Sequence, residues 1–267
     1  VYQGGVSSVL NQIKKTISII LIVAGVALLG SQAYLYLQDK ESVNKENQSF
    51  VLQDELTQEE TDGNENALAG RSKTTSKQRK EQPFVLDWSA IRNENADVIA
   101  WIRIPGTNVN YPILRDTDEE KYLRHNLYGN YTRCGSIFTS EINKHPFSDF
   151  NTIIYGHNLN NGLMFSDLKK YAQTNFYNHH KTIYVFFPDE SVKKYRVVAM
   201  RTAYDGDREV YNTCGTSFYS YEAAVNNGNK IADAEIYTAK QIKSMITLST
   251  CTNTSKDKRY IVFAVEV

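Results

Sequence analysis

From Thr16 to Gln38 the chain carries no charged residue, and Ile17 to Leu29 is almost wholly apolar. Twenty-three helical residues reach about 34 Å at 1.5 Å each, enough to cross a hydrocarbon core of about 30 Å. Lys14 and Lys15 precede the stretch, while Asp39, Lys40 and Glu41 follow it. The basic flank is therefore expected to stay cytoplasmic and the bulk of the chain to lie outside. A cleaved signal peptide is the rival, because Ser31-Gln32-Ala33 offers small residues of the kind a signal peptidase reads. The apolar stretch is, however, longer than the roughly 7–15 residues of an ordinary signal core. A buried core helix would need the polar face that is missing here. The expected order is a cytoplasmic tail over 1–15 and an uncleaved single-pass anchor over 16–38.

Residues 39–83 hold few large apolar side chains, chiefly Val43, Phe50, Val51, Leu52, Leu56 and Leu68. So little apolar surface cannot offset the entropy of ordering, which predicts a flexible extracellular linker. Acidic residues dominate from Asp39 to Glu65, and Arg71, Lys73, Lys77, Arg79 and Lys80 then precede Glu81. A solvated tether accounts for this charge pattern more simply than a specific binding tail. The remaining stretch, 84–267, is long enough to bury a substantial core in one domain. With 30 basic and 30 acidic residues the formal net charge is zero, so no global field favours nucleic acid. Cys134, Cys214 and Cys251 are too few for a disulfide scaffold, and their odd number leaves at least one thiol without a partner in the chain.

Beyond Phe84 the texture is mainly β. Trp88, Ile91, Val98, Ile99, Trp101 and Ile102 stand at near-helical spacing, which predicts one or two short helices before the first strand. Runs rich in β-branched and aromatic residues then recur at Trp101–Ile104, Val109–Ile113, Gly135–Thr139, Thr152–Tyr155, Thr182–Phe187, Tyr195–Met200, Ile246–Thr250 and Tyr260–Val265. About eight strands at this spacing predict a closed barrel or a sandwich. Short helical patches are expected near Glu119–Leu123, Phe165–Tyr171 and within Tyr219–Ile231.

Two segments carry candidate chemistry. Ile246 to Cys251 leads through the polar loop Thr252–Lys258 to Arg259 and an apolar run. Pairing these runs as antiparallel strands sets Cys251 roughly opposite Arg259. An unperturbed thiol is only a few per cent thiolate at neutral pH, and a guanidinium that never loses its charge would stabilise thiolate or an oxyanion. The second segment, Asn151 to Asn158, reads as a buried strand ending in Gly156-His157. A histidine at a strand exit can exchange protons with a departing or arriving amine. His125, His145, His179 and His180 have no nucleophile near them in sequence. Taken alone, Cys251 would pass for a small buried hydrophobe at a strand end.

Thr247-Leu248-Ser249-Thr250-Cys251 with Arg259 beyond, and Tyr155-Gly156-His157-Asn158 upstream, resemble the motifs of sortases, specifically class B. The resemblance covers roughly Trp88 to Val267, and the anchor followed by a tether matches that family's layout. It implies an eight-stranded β-barrel with short helices, with Cys251 as nucleophile, His157 as acid/base and Arg259 as electrostatic partner. It also implies attack on the Thr–X amide of a sorting signal near the C-terminus of secreted proteins, a thioacyl intermediate, and release to an amine of a peptidoglycan precursor or a pilin lysine. Family members hold substrate with residues beside the cysteine, which points to Ser249 and Thr250. Arg201–Tyr237 would be the long loop that carries a helix and shapes substrate choice. Class A relatives can bind calcium in that region, but no ligand cluster stands out, so no metal and no cofactor are expected. There is no His-Glu-x-x-His and no paired Cys-x-x-Cys.

Other readings of the same residues are a cysteine peptidase that gives its acyl group to water, and a non-catalytic surface module using some of the 18 tyrosines. Cys134 and Cys214 read as structural, with a disulfide between them an option outside the cytoplasm.

Overall fold

The computed structural model describes residues 3–54, 84–213, 221–222, 228–238 and 240–267. The chain divides into two compact units, Val1–Lys45 and Glu46–Val267. Helix α1 (Gln3–Gln48) makes up the first unit and ends just inside the second. Its side chains from Ile17 through Leu29, including Leu21, Ile22 and Val26, are exposed on all sides. A helix without a polar face needs an apolar surround, and this one is long and apolar enough to cross a membrane.

The second unit becomes a packed body earlier than residue 84. Strand β1 (Val51–Gln53) pairs antiparallel with β2 (Val85–Leu86). Phe50 is buried in a cluster with Phe84, Leu86, Trp101 and Phe186, and Arg103 Nη2 meets Asp54 Oδ2 at 2.8 Å. Of the stretch expected as a linker from residue 39, the described part is helical to Gln48 and packed from Phe50 to Asp54. A sparse apolar composition hid this, since one phenylalanine beside a short strand suffices once Phe84 and Leu86 supply the other side. The rest of that linker, 55–83, lies outside the described residues.

Helix α2 (Trp88–Glu94) begins where Asp87 accepts from the Ala90 amide at 2.9 Å, a side-chain cap for an otherwise unpaired donor. The barrel follows: β3 (Val98–Arg103), β4 (Asn110–Leu114), β5 (Ile137–Thr139), β6 (Asn151–Tyr155), β7 (Thr182–Phe186), β8 (Val192–Tyr204), β9 (Met245–Cys251) and β10 (Lys258–Glu266). Around the closed barrel the order is β3, β4, β5, β6, β9, β10, β8, β7 and back to β3. Contacts β4–β5 and β6–β9 are parallel and the others antiparallel. Helix α3 (Glu119–Arg124), a 3-10 segment (Ser166–Ala172) and α4 (Thr174–His179) lie between strands.

All eight apolar runs read from the sequence become barrel strands. The largest difference is β8, which extends to Val192 and Tyr204 because its polar flanks pair through the backbone with β7 and β10. The helix expected within Tyr219–Ile231 falls mostly outside the described residues; among those described there, Tyr221 and Glu222 are helical.

Burial along β6 and β9 is nearly continuous, as expected for strands covered on both faces. One face of β6, β8, β9 and β10 packs Ile153, Ala199, Met245, Ile261 and Phe263 under Val210, Tyr211, Tyr221 and Ile242. Those four come from the long β8–β9 connection, which therefore roofs part of the sheet face that carries Cys251. On another flank Trp101 is fully buried, with its indole donating to Asn110 Oδ1 at 2.7 Å, so a large apolar body is buried without stranding its polar handle.

Candidate active site

Cys251 is the last residue of β9 and pairs directly with Arg259 of β10. Opposed residues of an antiparallel pair project from the same face, so thiol and guanidinium start from one side of the sheet. On the other flank of β9, β6 runs parallel, with Tyr155 level with Ser249 and the Gly156 amide donating to Ser249 O at 3.2 Å. His157 follows two residues past Tyr155, as Cys251 follows two past Ser249. The link is fixed by Asn158, whose side-chain amide donates to Cys251 O at 2.8 Å, and by Asn253, whose amide donates to Asn158 O at 2.9 Å. Three strand ends thus bring the candidate nucleophile, acid/base and cation to one end of the barrel, all three partly exposed.

Gly156 permits this exit, because a Cβ there would lie 2.4 Å from Ile137 Cδ1 and 2.8 Å from Phe165 Cδ2. His157 Nε2 lies 2.8 Å from the carbonyl of Leu123 in α3. A carbonyl only accepts, so Nε2 carries a proton and Nδ1 is left as the nitrogen free to exchange one. Burial lowers the pKa of the imidazole below its usual value, the Leu123 carbonyl opposes the shift, and the nearby Arg124 adds to it. The ring therefore gives up its proton more readily than a free imidazole does.

Arg259 does not stand free. Its Nη2 meets Asp205 Oδ2 at 2.7 Å, and Nη1 donates to Lys256 O at 2.7 Å and Lys258 O at 3.3 Å. Asp205 is itself tied in, since its amide donates to Asp257 O at 2.8 Å. The carboxylate is more than half exposed, and such a pair contributes only about 0–1 kcal/mol. Exchanging the Asp205 carboxylate for a developing anion would cost little, while the two backbone carbonyls keep Nη1 in place.

The two residues expected to hold substrate part company. Ser249 shares the Cys251 face, but it is almost wholly buried and its hydroxyl is 3.0 Å from Tyr211 Oη. Thr250 alternates to the opposite face and is buried, its Oγ1 without a hydrogen-bond partner among the described residues. Its side chain does not share the nucleophile's face. Cys134 is buried, while Cys214, and with it the disulfide option, lies outside the described residues.

The family model described as the sortase domain matches residues 102–267, which includes all of these elements from β4 onward. The chain belongs to the sortase family. It is 36% identical over 174 residues to sortase B of Listeria monocytogenes, covering 61% of this chain and 65% of that protein. It is 34% identical over 96 residues to sortase B of Staphylococcus aureus, covering 36% of this chain and 39% of that protein. The chain thus spans about two thirds or less of the length of these relatives. Among solved structures it is similar to a Staphylococcus aureus sortase B–substrate complex, at 26% identity and a TM-score of 0.60, covering 67% of this chain and 84% of that one. These relatives place the chain on the class B side of the sortase family.

The sequence singles out the candidate residues for chemistry but not the residues that hold them in place. Asn158 stood in the quoted motif without a role. Asp205 and Tyr211 lie in the β8–β9 connection, far in sequence from the partners they meet, and the Leu123 contact is a backbone carbonyl that no residue type announces.

Proposed function

We propose that this sortase is a membrane-anchored cysteine transpeptidase with its catalytic domain outside the cell. The observation that carries the reading is the register: Cys251 opposite Arg259 on one side, and Asn158, next to His157, hydrogen-bonded to Cys251 O on the other. Cys251 Sγ attacks the carbonyl carbon of an amide in a sorting signal. The oxyanion forms on the Arg259 face, where preorganised donors lower the barrier most. The C–N bond breaks as His157 gives a proton to the departing amine, leaving a thioester on Cys251. An acceptor amine then attacks, its proton passes to His157, and the C–S bond breaks to regenerate the thiol. A neutral imidazole with Nε2 protonated suits the cycle, because Nδ1 can take the thiol proton before passing it on.

The donors are proposed to be secreted proteins with a sorting signal, and the acceptor an amine of wall precursor or pilin. Helix α1 as anchor would confine both encounters to the membrane surface. Incubating the full chain in detergent with candidate sorting peptides and amines, and weighing the products, tests the reading. An amide-linked product that vanishes with Cys251→Ala is expected. Release of peptide acid alone in the presence of amines would show a hydrolase, and ligand binding unchanged by Cys251→Ala without turnover would show a binding module.

A further inference from the structure

We infer that Gly135 is a positioning residue for His157, because it leaves the space in which the Leu123 carbonyl can orient the imidazole. The inference rests on His157 being the acid/base proposed above. The end of α3 is held carbonyl by carbonyl: Lys121 O accepts from His125 Nδ1 at 2.7 Å, Tyr122 O from the Ser136 amide at 2.9 Å, Arg124 O from the Thr132 amide at 2.7 Å, and His125 O from Ser136 Oγ at 2.8 Å. Leu123 O alone turns to the site, where it meets His157 Nε2. Gly135 sits against that peptide with φ +57, and a Cβ there would lie 2.6 Å from Leu123 O, 2.8 Å from Tyr122 O and 2.9 Å from Leu123 C. All three contacts are backbone atoms, so no side-chain rotation relieves them. With Tyr122 O pinned by the next residue, Ser136, the peptide that must yield is the one that holds the histidine.

Gly129 supplies the control, since it has φ +74 in the same connection but a Cβ there meets nothing within 4 Å. Gly129→Ala carries the same kind of backbone strain without the contact. The measurement is the pH midpoint of the His157 Cε1–H resonance in the full chain in detergent, assigned by its loss in His157→Gln, alongside transpeptidation rates. A carbonyl acceptor favours the protonated ring, so Gly135→Ala is expected to move the midpoint to lower pH and Gly129→Ala to leave it in place. Misplacing the ring should lower kcat by about 10-fold or more with KM little changed. An unmoved midpoint in Gly135→Ala, or an equal shift in Gly129→Ala, overturns the inference. A shifted midpoint with unchanged kcat supports it while sinking the acid/base role of His157. If Gly135→Ala does not fold, Ser136→Ala, which frees His125 O, should give a smaller shift in the same direction, and no shift there overturns the inference as well.

Discussion

The side-chain amide of Asn158 donates to the backbone carbonyl of Cys251 at 2.8 Å. A residue that touches no substrate in the proposed cycle thereby joins the strand end carrying the nucleophile to the one carrying the acid/base. Asn158→Ala should cost about 1 kcal/mol of stability, the net worth of one such bond. Asn158→Asp should cost more, because a carboxylate would face a carbonyl it cannot pair with. Urea midpoints order the two variants, and a Cys251 alkylation rate unchanged in both would show that the nucleophile does not depend on this link.

The histidine gives a pH prediction with a definite sign. Its folded pKa lies below the unfolded value of about 6.5, so the unfolded chain binds more protons between those two values. Stability from this group is constant above the unfolded pKa and falls as pH drops from about 6.5 toward the folded pKa. His157→Gln removes the effect. Between pH 7.5 and 5.5 the parent protein should lose more of its urea midpoint than the variant does, and parallel losses would refute the shift.

Asp205 and Arg259 separate a structural from an electrostatic contribution. Asp205→Asn should change stability by less than about 1 kcal/mol, with the difference fading in high salt. Arg259→Lys keeps the charge but loses the planar fork, and acylation should fall by about 10²-fold if the guanidinium holds the oxyanion. Stopped-flow acylation compares them, with Asp205→Asn expected to acylate at least as fast as the parent.

Phe50 tests where the folded domain begins. It is buried, with 6% of its surface exposed, so Phe50→Ala should cost about 3 kcal/mol, the lower end for a buried phenylalanine. Leu52, two residues on and 67% exposed, should tolerate alanine within about 0.5 kcal/mol. Equal midpoints for the two variants would place the start of the domain after this segment.

Much of the barrel was readable because strand runs such as Ile246–Thr250 and Tyr260–Val265 are continuous in sequence, and burial on both faces selects apolar side chains and small hydroxyl residues there. The pairing of Cys251 with Arg259 followed from a seven-residue loop between two such runs. Long-range closures were not readable in this way. Nothing in Phe50 to Gln53 announces Val85 and Leu86 as partners, and no local pattern couples Arg259 to Asp205, 54 residues away. Thr250 shows a subtler limit. Adjacency to Cys251 in sequence suggested adjacency in the site, whereas a strand's period of two turns neighbours to opposite faces.

Every one of the eight strands in the closed sheet has a neighbour on each side over part of its length, so the sheet has no free edge strand. A guest polypeptide therefore meets no whole edge strand to extend, one recurring way in which a β-rich protein seizes an extended partner. Its recognition falls instead to side chains and to the connections beyond the strand ends, which can diverge without unravelling the sheet that keeps sulfur, imidazole and guanidinium in register.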